Sequence, residues 1–216
     1  KLFLTLVAFS FSFSGFAQEV EEVVVTATKK EESTQDIAVS ITAITADQLA
    51  ADQIYDISDL AEVVPGFETA KGVGSGSGFV LRGIGSYGVG AAVVSSIVTS
   101  INGHSTNPSW FVETGLLDIE RIEVLQGPQG TKFGRNSVQG VINLVTKRPT
   151  DEFEGYVNVE AGSYDRKLVT GAINMPFSDS VRGRLAFGSN TRKGMVENVA
   201  TGNLMDDRND ASVRLS

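Results

Sequence analysis

No cysteine occurs in the chain's 216 residues, and histidine and tryptophan occur once each. Without cysteine there is no disulfide framework, thiolate metal site or cysteine nucleophile. With His104 as the only histidine, a histidine cluster for metal is excluded, and its place after Asn102-Gly103 reads as a turn position. Proline is scarce, 5 residues against 23 glycines, a balance that favours turns and strands over long helices. Positive charge is in deficit: 18 basic side chains face 26 acidic ones, for a formal net charge of -8. Residues 18–150 carry 9 basic and 16 acidic groups, and residues 151–216 carry 8 and 10. No basic stripe forms, so nucleic acid is not an expected partner. After residue 17 no apolar run approaches the roughly 20 residues that a membrane-spanning helix needs.

What is present starts with an address. Lys1 precedes LFLTLVAFSFSFSGFA, an uncharged apolar run ending in small residues, with Gly15 and Ala17 at the -3 and -1 positions of a signal-peptidase site. Residues 1–17 therefore read as an export signal, with Gln18 opening the mature chain. EVVVTA (22–27) is a β-branched block, and KKEESTQD (29–36) reads as a flexible polar tether.

The pattern predicts a strand over Ile37–Thr45, then a helix over ADQLAADQI (46–54). A second short helix is expected in ISDLAEVVPG, capped by Ser58 and stopped at Pro65-Gly66. KGVGSGSG (71–78) reads as a loop, FVLRGIG (79–85) as a strand entering a turn, and VVSSIVTSI (93–101) as a strand closed by Asn102-Gly103. IERIEVL (119–125) and VINLVTKRP (141–149) read as strands flanking the glycine-punctuated loop GTKFGRNSVQG. These pieces make a small α+β domain over residues 37–150.

Beyond about residue 153 the texture becomes period-2 alternation. Val157, Val159 and Ala161 oppose Tyr156, Asn158 and Glu160; Val181, Leu185 and Phe187 oppose Arg182 and Arg184; Ala211, Val213 and Leu215 oppose Ser212, Arg214 and Ser216. LVTGAINMP (168–176) is compatible. Such strands predict a two-sided antiparallel sheet. The connections are short, then tight (PFSDS), then about twenty polar residues from Thr191, as in outer-membrane barrels with short periplasmic turns and long outer loops. A soluble sandwich accommodates the same lengths. Four strands cannot close a barrel, so more chain is expected after Ser216.

LLDIERIEVLQGPQGTKFGRNSVQGVINLVTKRP (116–149) resembles the signature segment of the TonB-dependent receptors of Gram-negative outer membranes. DLAEVVPGF (59–67), the FVLRGIG turn and EVVVTA in the position of a TonB box are also similar, in the family's order. Gln126 and Gln139 depart from the usual pattern. The resemblance implies an α+β plug domain followed by the start of an antiparallel transmembrane β-barrel, of about 22 strands in the whole protein. It implies segments at 1–17 (signal), 18–36 (TonB box and tether), 37–150 (plug) and 151–216 (first barrel strands).

It further implies that Glu22, Val23, Val24, Val25, Thr26 and Ala27 bind the periplasmic C-terminal domain of TonB as an added strand. Residues 22–27 equally suit an ordinary first strand of the plug. Arg82 and Arg135 would bridge to barrel-wall carboxylates; each also suits a surface arginine satisfied by water. Gly72, Ser75, Ser77, Ser86 and Tyr87 are candidate ligand-loop residues. The implied partners are TonB, outer-membrane lipid and a scarce solute, by default a ferric siderophore, though members also take haem, cobalamin, nickel chelates or oligosaccharides. No cofactor or metal is implied.

Two other readings bear on the sequence. GIGSYG (83–88) matches a dinucleotide fingerprint, but a β-branched run follows where a helix is needed. Asp118 and Glu120 could pair for acid–base work on one face of a strand, yet interleaved Ile119, Arg121 and Ile122 suit a half-exposed strand with ion pairs. The residues support transport over catalysis. A soluble exported interaction module, plug-like domain plus sandwich, is the alternative.

Overall fold

The computed structural model describes residues 24–26, 32–33, 39–71, 77–85, 95–106, 116–178 and 180–216. The export signal at 1–17, Glu22, Val23, Ala27, Gly72, Ser75, Ser86 and Tyr87 lie outside the described residues, as does the side chain of Ser77.

The first half is organised on a five-stranded mixed sheet. Its strands are β3 (Ser40–Thr45), β7 (Ile97–Ile101), β8 (His104–Thr106), β9 (Ile119–Gln126) and β10 (Gly140–Thr146), in the order β3-β9-β10-β7-β8. Only β10 and β7 run parallel; every other pair is antiparallel. Asn102 and Gly103 turn β7 into β8 with φ of 51° and 78°, the left-handed pair that an Asn-Gly hairpin favours.

One face of this sheet carries Ile44, Ile97, Ile122, Val124, Ile142 and Leu144. It is covered by α1 (Ala46–Ala51), a 3-10 helix (Ile57–Glu62), and a ribbon of β4 (Phe67–Lys71), β5 (Ser77–Leu81) and β6 (Ile84–Gly85), which contribute Leu49, Ile57, Leu60, Phe67, Phe79 and Leu81. Burial of this apolar set is the main drive for folding the domain. The opposite face buries Val98, Leu125 and Val141 under Phe133 of α2 (Gly130–Phe133). With both faces covered, β9 is buried along most of its length, which corrects the half-exposed strand expected from its charged residues.

Local chemistry sets the remaining boundaries. Thr45 caps α1 in a reciprocal box with Gln48. The second helix is 3-10 and its cap is Asp56, not the expected Ser58, because the Asp56 carboxylate accepts the Ser58 amide at 2.7 Å. The loop expected over 130–140 holds the short α2. Gly140 must lack a side chain: a Cβ there would strike the Leu125 carbonyl and the Leu81 side chain. Glu32 and Ser33, expected within the tether, form β2 and pair antiparallel with β1 (Val24–Val25).

The second half is a four-stranded antiparallel meander, β11 (Glu154–Gly162), β12 (Arg166–Ser178), β13 (Val181–Arg192) and β16 (Arg208–Leu215), in that spatial order. A small hairpin, β14 (Val196–Glu197) with β15 (Leu204–Met205), rises from the connection between β13 and β16. Registers align Tyr156, Ala172, Ala186 and Arg214 on one face, and Val157, Gly171, Phe187 and Val213 on the other. The first face is applied to the mixed-sheet domain, where Leu117 packs on Ala172 and Ala186. The other is apolar and open: Val157, Val159, Val213 and Leu215 are each 67–75% exposed. Among the described residues no helix is long and apolar enough to cross a membrane, which says nothing of strands.

Candidate functional site

Three groups of side chains give the fold its working parts: a seam between the two sheets near the closed turn of β12–β13, a second seam at the opposite end, and a strand held on the mixed sheet.

The first seam centres on Asp118. It sits just before β9 with φ of 50°, a left-handed conformation that aspartate tolerates better than most residues. Its side chain is fully enclosed. Arg184 of β13 grips it with two hydrogen bonds, Nε to Oδ2 at 2.9 Å and Nη2 to Oδ1 at 2.8 Å. Arg214 of β16 donates from Nη2 to Oδ2 at 2.8 Å and also reaches the carbonyls of Leu117 and Asp118 at 2.6 and 2.9 Å. Tyr156 of β11 adds its hydroxyl at 3.2 Å. One carboxylate thus collects donors from three strands of the second sheet. Such charge-assisted, bidentate contacts are about twice as strong as neutral ones.

The second seam lies at the other end of the same strands. Arg208 of β16 donates to Asp56 at 3.1 Å, the same carboxylate that caps the 3-10 helix. Tyr55 donates its hydroxyl to Glu160 at 2.7 Å, and the Arg166 guanidinium stacks 3.7 Å from the centre of its ring. Partial burial, then the Glu160 carboxylate, hold the Tyr55 phenol protonated above its ordinary range. Arg208 and Arg214 lie on one strand, so the two seams stand about 20 Å apart at ~3.3 Å per residue. Two attachments at different heights fix orientation as well as position.

The third group holds the beginning of the described chain. Val25 is fully buried. The next residue, Thr26, donates its amide to Glu123 Oε1 at 2.8 Å and its hydroxyl to the same oxygen at 3.2 Å. Arg121 donates to Glu123 at 2.8 Å and to the Thr26 hydroxyl at 3.2 Å. Glu120, read as a possible acid–base partner of Asp118, instead pairs with Arg121. The two carboxylates part because Asp118 precedes the strand in a turn.

The expected contact residue Arg82 is exposed, and its Nε donates to Gln126 at 2.8 Å, with the Gln126 amide continuing to the Pro65 carbonyl at 3.2 Å. Arg135 is exposed on the segment after α2. Asp56, Arg184 and Arg214 did not stand out as site residues in the sequence, and Asp118 stood out only as a possible acid–base partner of Glu120. The available signal was arginine at inward positions of alternating strands, where a charge needs a carboxylate opposite. Among the described residues, no group of three or more histidine or carboxylate side chains is placed to hold a metal ion.

Residues 33–141 match the family model described as the TonB-dependent receptor plug domain. The chain is 30% identical to an iron-regulated outer membrane virulence protein of Vibrio cholerae, over 79% of this chain and 28% of the relative. It is 30% identical to the vitamin B12 transporter BtuB of Vibrio vulnificus, over 86% of this chain and 31% of that protein. Among solved structures, the ferric yersiniabactin uptake receptor FyuA of Yersinia pestis superposes with a TM-score of 0.71 at 25% identity, covering 82% of this chain and 28% of that one. The chain therefore spans under a third of the length of these relatives.

Proposed function

The chain belongs to the TonB-dependent outer-membrane receptor family, and from that premise we propose that it is the coupling segment, plug and opening barrel strands of an energised importer. The whole protein binds a scarce solute at the cell surface and passes it to the periplasm, driven by TonB pulling on residues 22–27. One observation carries this reading. The sheet of residues 154–215 is attached to the plug by its polar face, and the face it turns away from the plug is apolar. A strand set that is polar toward a plug and apolar outward suits the wall of a plugged barrel in lipid.

In this proposal the signal occupies 1–17, the TonB box and tether 18–36, the plug 37–150 and the first wall strands 151–216. Glu22, Val23, Val24, Val25, Thr26 and Ala27 are the TonB-binding strand. Arg82 and Arg135 contact carboxylates on wall strands beyond those described. Gly72, Ser75, Ser77, Ser86 and Tyr87 are the candidate ligand-loop positions. A ferric siderophore is the proposed substrate class, in keeping with the iron-regulated and ferric yersiniabactin relatives; the vitamin B12 relative makes cobalamin the comparison arm.

The test is uptake by cells that make the full-length protein, supplied with radioactive iron on a panel of siderophores and with labelled cobalamin. Uptake of one ferric chelate that disappears in cells without TonB supports the reading. Uptake unaffected by loss of TonB, or no uptake of any chelate, overturns it.

A further inference from the structure

Glu123 is fully buried near the middle of β9, and its partners divide by direction. On one side Oε1 takes both Thr26 donors and Arg121. On the other, Oε2 accepts the Asn143 amide at 2.9 Å. The Asn143 carbonyl oxygen in turn accepts the Ser100 hydroxyl at 2.7 Å and the Gly103 amide at 2.9 Å. Register places Ala43, Glu123, Asn143 and Ser100 opposite one another across β3, β9, β10 and β7. A row of polar side chains therefore runs from Thr26 across three strands to the β7–β8 turn, beside the apolar row of Ile41, Leu125, Val141 and Val98.

Among the described residues, Val24 and Val25 pair with Ser33 and Glu32, and the Val25 side chain is fully buried. The Glu123 carboxylate adds a hold on the next residue that is separate from that pairing. We propose that Glu123 is the positioning residue of the coupling strand: its charge keeps Thr26 bonded and Val25 seated until TonB draws the strand away. This rests on the reading of residues 22–27 as the TonB-binding segment. Removing Thr26 leaves Oε1 with Arg121 alone, and a buried carboxylate short of donors is costly. Relief comes from loosening the row, so the pull arrives at Asn143 and the Asn102–Gly103 turn without the sheet having to unfold first.

The test uses the full-length receptor in outer-membrane vesicles, in a cysteine-free background, with Val25→Cys as reporter. A buried cysteine reacts with a maleimide only when the strand leaves. Glu123→Gln keeps the shape but loses the charge and sets an amide against the Asn143 amide. Labelling at 25 is expected to rise on the order of ten-fold, the scale of a lost charge-assisted hydrogen bond. Adding Asn143→Asp to Glu123→Gln restores a donor–acceptor match along the row and is expected to return labelling most of the way. Leu49→Cys, in the core on the opposite face, reports general loosening and is expected to stay unreactive.

Unchanged labelling at 25, equal rises at 25 and 49, or full labelling in the parent would each overturn the proposal. A parent receptor whose strand is held by Glu123 but never binds TonB would instead count against the functional reading. The two failures are thus separable.

Discussion

Arg184 crosses from the wall sheet to Asp118 of the plug and closes a two-point grip, Nε to Oδ2 at 2.9 Å and Nη2 to Oδ1 at 2.8 Å, with both side chains at most 5% exposed. Arg214 brings a second guanidinium to the same carboxylate from the neighbouring strand.

Asp118→Asn should therefore be far worse than an ordinary surface change. It leaves two guanidinium groups facing a neutral amide, and breaking a buried pair in this way costs about 3–5 kcal/mol. Urea unfolding of the full-length receptor in detergent should show the loss. Arg184→Lys should cost less but still be clearly measurable, because a single ammonium cannot make both bonds.

Asp56 serves the helix cap through Oδ1 and Arg208 through Oδ2. Asp56→Ala removes both and is expected to cost about 1–2 kcal/mol, the usual range for a lost cap. Asp56→Asn keeps an acceptor for the Ser58 amide, so its loss in the same unfolding measurement should be smaller.

The outward face supplies a direct check of the lipid environment. Val157→Arg should destabilise the receptor by about 2–4 kcal/mol if the residue lies near the bilayer midplane. Asn158→Arg, one residue on and facing inward, should be tolerated better in a folding assay in lipid vesicles. Equal costs at both positions would contradict a wall strand.

Tyr55 offers a titration. Burial and Glu160 raise its pKa above the ordinary 10.0, so the protonated phenol contributes stability that is fully present below pH 10 and is lost as pH rises through the folded-state value. The ultraviolet difference between parent and Tyr55→Phe should show that phenol ionising later than free tyrosine.

Much of the architecture was legible because each part repeats a simple rule. Alternation announced β11, β13 and β16, with registers that place Val157, Phe187 and Val213 on one face. Asn102-Gly103 announced its hairpin, and runs rich in isoleucine, valine and leucine announced β9 and β10. The site was harder. Asp118 looked like part of a strand, yet it sits before the strand in a left-handed turn, and its partners are 66 and 96 residues away. Glu123 looked half-exposed because charge in a strand suggests solvent, whereas Thr26, Arg121 and Asn143 satisfy it in the interior. Local pattern reports which face a residue takes; it does not report which distant side chain neutralises it. The Ser58 cap was displaced because the helix starts one residue earlier, at Ile57, with Asp56 accepting the Ser58 amide and also reaching Arg208.

The central claim is that the strand around Val24 is captured by TonB. The most direct measurement is a titration of a peptide spanning Gln18–Lys30 against the C-terminal domain of TonB, beside a Val24→Pro version that lacks one amide donor. The account predicts saturable binding by the parent peptide that is lost or strongly weakened in the proline version, as strand addition requires. Binding by neither peptide, or equal binding by both, would contradict it.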